Sequence, residues 1–184
     1  MNQLASTGQL RASLLRWALV LVPGVVLLGF VSAQLARSGP DNPWFAGLDK
    51  PALYPPPATF GIVWTVLYLL MGLTAAMIGS ARGARGRGFA LAVFAVQLLV
   101  NLAWSPVFFG LHLMSAALGI VIALDLLVLL TVILFGRVRP LAGALLLPYL
   151  AWVLFATVLN WQFLQRNPDA DGMPTANAVT RVQL

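Results

Sequence analysis

The sequence predicts an all-α membrane protein, a bundle of five transmembrane helices. Of its 184 residues, 60% are hydrophobic and only 9% are charged, and the mean hydropathy is +0.90. A helix needs roughly 20 apolar residues to cross a hydrocarbon core of about 30 Å, where the backbone has to satisfy its own hydrogen bonds. Apolar stretches of this length lie near residues 16–36, 58–80, 88–109, 113–135 and 141–164.

These stretches form one membrane domain, residues 16–166. Residues 1–15 are polar and are predicted to be a flexible N-terminal segment, and residues 167–184 have the composition of a disordered tail. The first stretch also resembles a secretion signal, because arginines precede it and Val31-Ser32-Ala33 resembles a cleavage site. We favour a retained helix, since its removal would leave only four spans.

The positive charges predict the orientation of the bundle. In a five-helix topology, seven arginines fall on the side of the N-terminus with no acid among them. They are Arg11, Arg16, Arg82, Arg85, Arg87, Arg137 and Arg139. Because cytoplasmic loops carry an excess of Lys and Arg, we expect a bacterial cell-envelope protein with a cytoplasmic N-terminus and an outer C-terminus. The net charge of +6 is then an orientation signal and does not indicate a nucleic-acid partner.

The loop between the first two helices, residues 37–57, carries aromatic and proline residues. Trp44 and Tyr54 lie in it, and it ends in Pro55-Pro56-Pro57. Proline fixes φ near −65° and donates no backbone hydrogen bond, so three in a row are stiff and extended. The segment is either a lid over a pocket or a rigid turn that places proline in the first turn of the next helix.

Aromatic and amide side chains recur at helical spacing on the second and third helices. Trp64 and Tyr68 are four residues apart, and Gln97, Asn101 and Trp104 share one stripe. Carboxamides inside hydrocarbon need hydrogen-bond partners. They either link helices or line a polar spot in a cavity, and we favour the cavity because Trp104 shares their stripe. Pro106 is then expected to break the third helix.

The fifth helix presents a similar face. Tyr149, Trp152, Ala156 and Asn160 recur at intervals of three, four and four residues. This face and those of the other two helices suit a large, planar, mostly apolar ligand. The alternative is an aromatic belt at the membrane interface.

The fourth helix offers a packing face and one acid. Ser115, Gly119 and Ala123 place a small residue at every fourth position, which allows close approach of a helix within the bundle or across a dimer. Asp125 is either a functional group or a neutral acid hydrogen-bonded to a neighbouring helix. His112, the single histidine, lies in a tight loop and is expected to be exposed. The sequence therefore predicts no metal site and no firm catalytic residue.

A resemblance to a known family rests on four motifs: WFAGLDKP with YPPP, FGIVWTVLYLLMG, QLLVNLAWSPVFFG and PYLAWVLFATVLN. Over residues 16–166 the chain resembles the TspO/MBR family of tryptophan-rich sensory and translocator proteins. The resemblance implies a five-helix bundle, usually a homodimer, that binds a porphyrin such as protoporphyrin IX or haem and requires no other cofactor. Eukaryotic members also bind cholesterol and drug-like ligands, but Trp161 stands where the sterol pattern has Tyr.

The resemblance also implies a pocket beneath the 37–57 loop. Trp64 and Trp152 match the two pocket tryptophans of the family, while Leu53 and Ala58 replace residues that are often aromatic there. The full set of candidate ligand-binding residues is Tyr54, Pro55, Pro56, Trp64, Tyr68, Asn101, Trp104, Tyr149, Trp152, Ala156, Leu159 and Asn160.

Three functions follow as alternatives. The first is a tetrapyrrole-binding sensor or translocator. The second is a light-dependent porphyrin-degrading activity in which Trp64 and Trp152 are the redox-active groups. The third is a scaffold that regulates a partner membrane complex through the small-residue face of the fourth helix.

Overall fold

The structure, a computed structural model, describes residues 7–173. The described part is helical and contains no strand, which confirms the all-α class. The helices are α1 (Thr7–Leu35), α2 (Pro43–Ala46), α3 (Pro57–Gly79), α4 (Arg87–Ser105), α5 (Met114–Val138), α6 (Pro140–Leu145) and α7 (Leu147–Arg166). A π-helical segment, Pro106–Gly110, extends α4, and a 3₁₀ turn, Pro168–Ala170, follows α7.

Five helical segments of the described chain are long and apolar enough to cross a membrane. They are Gly8–Leu35, Pro57–Gly79, Arg87–Gly110, Met114–Val138 and Pro140–Arg166. Large apolar side chains on these segments point outward, with Leu19 74% and Leu126 66% exposed. Exposure of leucines along whole helices suits a hydrocarbon surround, so the five-helix membrane bundle is confirmed.

Both ends of the membrane domain are more ordered than the sequence suggested. The helix α1 begins at Thr7, so residues 7–15 do not belong to a flexible segment. After Gly8 this stretch has no Gly or Pro and is rich in Leu, Ala and Arg, which are strong helix formers. At the other end, residues 167–173 fold against the bundle and are not part of a disordered tail. Residues 1–6 and 174–184 lie outside the described residues.

Pro106 widens the third span and does not break it. Proline has no N–H to donate to the Leu102 carbonyl, four residues earlier. The chain continues as a π-helix in which the Leu111 N–H donates to the Pro106 carbonyl at 2.9 Å. The freed Leu102 carbonyl accepts a hydrogen bond of 2.7 Å from the Ser32 hydroxyl of α1. A serine on a neighbouring helix thus satisfies the group that the proline leaves unpaired.

The fifth span has two helical parts where the sequence predicted one. The break falls at Leu146, where α6 ends and α7 begins. Pro148, in the first turn of α7, cannot donate to the carbonyl of Ala144 and would clash with it in a continuous helix. The 141–164 prediction therefore gave the extent of the span but missed its interruption.

Glycine allows the first two spans to touch backbone to backbone. A Cβ atom at Gly72 of α3 would lie 2.6 Å from the Val22 Cα of α1. Gly29 of α1 similarly makes room for the ring of Tyr68. These contacts bring α1 and α3 together beneath the connecting loop, residues 36–56, which we call the lid loop.

We predict that Gly72→Leu destabilises the bundle because the added side chain has no space between α1 and α3. Overpacking of this kind lowers the free energy of unfolding by about 1–3 kcal/mol. Thermal unfolding in detergent would measure it. The control is Gly24→Leu, on the same pair of helices, since nothing lies within 4 Å of a Cβ at Gly24. Equal unfolding temperatures for the two variants would contradict the close contact.

Candidate ligand-binding cavity

A cavity of 350 Å³ lies between the helices beneath the lid loop. Its volume falls within the roughly 300–1,000 Å³ range of small-molecule sites. The walls come from all five spans and from the lid loop. The lining residues are Gly29, Ala33, Ser38, Gly39, Pro40, Phe45, Tyr54, Pro57, Phe60, Gly61, Trp64, Tyr68, Asn101, Trp104, Ser105, Phe108, Phe109, Val121, Leu124, Trp152, Val153, Ala156, Leu159, Asn160 and Phe163.

A short helix, α2, organises the lid loop. Asn42 caps it: the side-chain oxygen accepts a hydrogen bond of 3.1 Å from the Phe45 N–H, while Nδ2 donates to the Phe109 carbonyl at 3.1 Å. The adjacent Trp44 is fully buried and packs edge-on against Phe108. One residue therefore both starts the helix and fixes the lid to the π-helical end of the third span.

The Lys50 side chain forms hydrogen bonds with backbone carbonyls of the lid loop. Its ammonium donates to the carbonyls of Phe45, Leu48 and Ala46 at 2.5, 2.7 and 3.3 Å, and it lies 4.6 Å from the centre of the Phe45 ring. Burial lowers the pKa of Lys50, and the neighbouring Asp49 carboxylate opposes that shift. The charged side chain thus adds hydrogen bonds to carbonyls at the end of α2 and just after it.

A chain of hydrogen bonds joins three spans at the inner end of the cavity. The Tyr68 hydroxyl donates to Asn101 Oδ1 at 3.0 Å, and Asn101 Nδ2 donates to the Tyr149 hydroxyl at 3.1 Å. The Tyr149 hydroxyl in turn donates to Gln97 Oε1 at 3.0 Å. Gln97 does not line the cavity, so its predicted place there is wrong and its role is to link helices. Asn101 does both.

A second set of hydrogen bonds joins the same third and fifth spans about one helical turn closer to the lid loop. Trp104 Nε1 donates to Asn160 Oδ1 at 3.0 Å, and Asn160 Nδ2 donates to the Met114 carbonyl at 3.0 Å. Trp104 also stacks on Phe108 with ring centres 4.9 Å apart and planes 19° apart. The indole of Trp104 therefore has a fixed orientation.

Two polar atoms of lining residues are buried and lack a hydrogen-bond partner among the described residues. They are Trp152 Nε1 and Ser38 Oγ. An unpaired buried donor destabilises the folded state, so such atoms usually mark a place where water or a ligand supplies the partner. Tyr54, from the lid loop, lines the same cavity, and burial raises the pKa of its phenol, which remains a hydrogen-bond donor at neutral pH.

The structure brings nine of the twelve candidate residues together around the cavity. These are Tyr54, Trp64, Tyr68, Asn101, Trp104, Trp152, Ala156, Leu159 and Asn160. The other three, Pro55, Pro56 and Tyr149, do not line it. Tyr149 is buried behind Asn101, and the two prolines form the extended lead-in to α3, whose first residue, Pro57, does line the cavity. The proline segment therefore has both of the predicted roles: it starts α3, and it forms part of the loop over the cavity.

Sequence reasoning missed five phenylalanines of the wall: Phe45, Phe60, Phe108, Phe109 and Phe163. Three of them follow the spacing that identified the other residues. Phe60 precedes Trp64 by four, Phe108 follows Trp104 by four, and Phe163 follows Asn160 by three. Extending each predicted face by one helical turn would have found them.

Three other predicted features lie away from the cavity. Asp125 Oδ2 accepts a hydrogen bond of 2.7 Å from the Thr157 hydroxyl of α7, which matches the alternative of an acid bonded to a neighbouring helix. Gly119, with its small neighbours, faces outward, and a Cβ there would meet open space. His112 is not exposed: it is half-buried, and its ring stacks on Trp44 at 4.6 Å.

The described residues contain no group of three or more His, Cys, Asp or Glu side chains that could hold a metal ion. The cavity walls are aromatic and aliphatic with a few amides, and no charged side chain of the described residues lines them. Such walls can bind a flat apolar molecule by contact and can accept or donate a few directed hydrogen bonds.

Comparison with known proteins gives a consistent result. Residues 19–166 match the TspO/MBR family. The chain is 38% identical over 151 residues to a tryptophan-rich sensory protein of Cereibacter sphaeroides, an alignment that covers 82% of this chain and 92% of that protein. It is 37% identical over 142 residues to the tryptophan-rich protein TspO of Chlorobaculum tepidum (77% and 89% covered). It is 39% identical over 158 residues to the translocator protein of Sus scrofa (83% and 89% covered).

We predict that Asn101→Leu destabilises the bundle by about 1–3 kcal/mol, because it leaves the Tyr68 hydroxyl without its acceptor and removes the bond that the Tyr149 hydroxyl accepts. Thermal unfolding in detergent would measure the loss. Gln162→Leu is the matched control: Gln162 Oε1 is buried with no hydrogen-bond partner among the described residues, so its removal should be neutral or stabilising. An equal loss in both variants would refute the network's contribution.

Proposed function

The chain belongs to the TspO/MBR family of membrane proteins, and on that premise we propose that it binds a tetrapyrrole, protoporphyrin IX or haem, in the cavity beneath the lid loop. It would act as a membrane sensor or translocator for this ligand. The observation that carries the proposal is the aromatic composition of the cavity, which has three tryptophans on three different spans. They are Trp64, Trp104 and Trp152.

The rings of the wall present paired flat surfaces. Trp64 stacks on Tyr68 with ring centres 5.3 Å apart and planes 29° apart, and Trp104 stacks on Phe108. Flat, apolar surfaces on several sides favour a rigid macrocycle, which loses little conformational entropy on binding. A flexible lipid chain would gain less from these surfaces and would lose more freedom.

The unpaired polar atoms support a ligand that has acceptors at its edge. Trp152 Nε1 is a donor without a partner in the described chain, and Ser38 Oγ is unpaired at the lid side. Protoporphyrin carries two carboxylates on one edge of an otherwise apolar disc. That edge would supply acceptors for both groups, while the disc would lie against the aromatic rings.

We expect the tryptophan fluorescence of the detergent-solubilised protein to be quenched saturably by protoporphyrin IX. Trp152→Phe and Trp64→Phe should each weaken binding about tenfold, since each removes wall surface and Trp152→Phe also removes the unpaired donor. A titration of each variant measures this.

The control for that titration is Trp161→Phe, because Trp161 is 51% exposed on the outer surface of α7 and does not line the cavity. Its dissociation constant should equal that of the wild type. Quenching that is equal in all four proteins, or that never saturates, would sink the tetrapyrrole proposal.

A second expectation concerns the iron of haem. The single histidine of the chain, His112, stacks on Trp44 and does not line the cavity. Recognition would then rest on the faces and edge of the macrocycle, so haem and metal-free protoporphyrin IX should bind with dissociation constants within about threefold of each other. Absorbance titrations would measure both. A large preference for haem, with a spectrum typical of axial histidine, would contradict this mode of binding.

Light-dependent degradation of the porphyrin is a second candidate. It is favoured by the position of Trp64, whose ring contacts Tyr68 and Tyr149, two tyrosines joined through Asn101. An excited porphyrin can take an electron from an indole or a phenol in contact with it, and degradation of the ring would need dioxygen as the oxidant. A binder returns the porphyrin intact after illumination, whereas a catalyst yields a new chromophore that disappears in Trp64→Phe.

The scaffold alternative, and the homodimer that the family implies, would use the outward face of α5. Ser115, Gly119 and Ala123 are exposed there in the single chain. Gly119→Leu would disrupt association through this face and leave porphyrin binding unchanged, which separates the scaffold from the binding function.

A further inference from the structure

The segment after the last span folds back over the lid loop. Residues 167–173, which we call the C-terminal strap, begin directly after α7 and include the 3₁₀ turn Pro168–Ala170. The strap lies outside residues 19–166, the part of the chain that matches the family.

Two sets of hydrogen bonds join the strap to the lid loop. The Asn167 side chain pairs with the backbone of Asp49 in both directions: Oδ1 accepts from the Asp49 N–H at 2.7 Å, and Nδ2 donates to the Asp49 carbonyl at 3.0 Å. Further along, the Trp44 indole N–H donates to the Ala170 carbonyl at 3.2 Å. The strap thus holds the lid loop within α2 and three residues after its end.

The strap is itself held by the turn that precedes α5. The Gly172 N–H donates to the His112 carbonyl at 2.8 Å, and Asp171 Oδ1 accepts from the Ser115 N–H at 3.2 Å. His112 Nδ1 lies 2.9 Å from the Met173 carbonyl, so this nitrogen carries the proton and donates it. The ring of His112 also stacks on Trp44 of the lid loop. The turn, the strap and the lid loop therefore contact one another.

The part of the lid loop that the strap holds is the part that covers the cavity. Trp44 is followed by Phe45, whose ring lines the cavity, and residues 38–40 and 54 of the same loop form the rest of that wall. The strap makes no contact with the cavity. It can therefore change access to the site without changing the surface that a ligand touches.

We propose that the C-terminal strap is a latch that controls ligand exchange by holding the lid loop shut, with Asn167 as its main positioning residue. The identity of the ligand rests on the proposed function, whereas the opening of the lid loop does not. The bonds to Asp49 are exposed to solvent, so water competes for them and the latch opens by local fluctuation. Lid opening of this kind sets binding and release rates in many proteins.

The first experiment measures lid motion without ligand. Hydrogen exchange of the amides of Phe45, Ala46 and Leu48 is followed in the full-length protein, because these amides bond within the lid loop and not to the strap. Asn167→Ala, and separately Trp44→Phe, should speed their exchange about tenfold. Gln165→Ala, an exposed change on the last turn of α7, should leave it at the wild-type rate.

The second experiment measures exchange of protoporphyrin IX by stopped-flow, using the fluorescence of the porphyrin. In Asn167→Ala and Trp44→Phe we expect association and dissociation to be about tenfold faster, while the dissociation constant stays within about threefold. A residue that only stabilised the fold would alter affinity or the amount of folded protein without accelerating both rates together.

The outcomes separate the two proposals. If the wild type shows no saturable binding, the tetrapyrrole function fails, while amide exchange still tests the latch. If the wild type binds and both variants keep wild-type amide exchange and wild-type rates, the latch is refuted. Faster amide exchange with unchanged ligand rates would also overturn it, because the ligand would then enter by a path that the lid loop does not control.

Discussion

Hydrocarbon offers no hydrogen-bond partner, so a polar group inside this bundle is stabilised when another group of the protein supplies one. That constraint explains the inner end of the cavity, where Tyr68, Asn101, Tyr149 and Gln97 bond in sequence across three spans. The same requirement fixes the indole of Trp104, which donates a hydrogen bond to the Asn160 side chain. Side chains that the sequence suggests as ligand-binding residues therefore also hydrogen-bond neighbouring helices to one another. The cavity lies between the five spans, beneath the lid loop.

Prolines give the bundle its irregular shape under the same constraint. Pro106 leaves the Leu102 carbonyl without its helical partner, and the Ser32 hydroxyl supplies one from another span. The wider π-helical turn that follows carries Phe108 and Phe109 into the cavity wall and ends beside the lid loop. Pro57 starts α3 at the edge of the cavity. Each proline therefore also positions part of the site.

The lid loop depends on buried polar bonds in a different setting, near the end of the bundle. Asn42 and Lys50 satisfy backbone groups within it, and Trp44 anchors it in an aromatic cluster. The bonds between Asp49 of the loop and Asn167 of the strap are more exposed and therefore weaker. The exposed edge of the loop can therefore open more readily than the buried part around Trp44. This arrangement suits a cover over a site that must both admit and retain a ligand.

The sequence by itself determined the five spans, because their length and hydropathy follow from the thickness of the hydrocarbon core. Helical spacing also placed Trp64, Trp104 and Trp152 on inward faces. It could not decide that Tyr149 lies behind Asn101 and that Gln97 misses the cavity, because one stripe fits both a helix contact and a cavity wall. Nor could composition show that residues 167–173 bind the lid loop. Those bonds join residues more than a hundred positions apart, and only the packed helices bring them together.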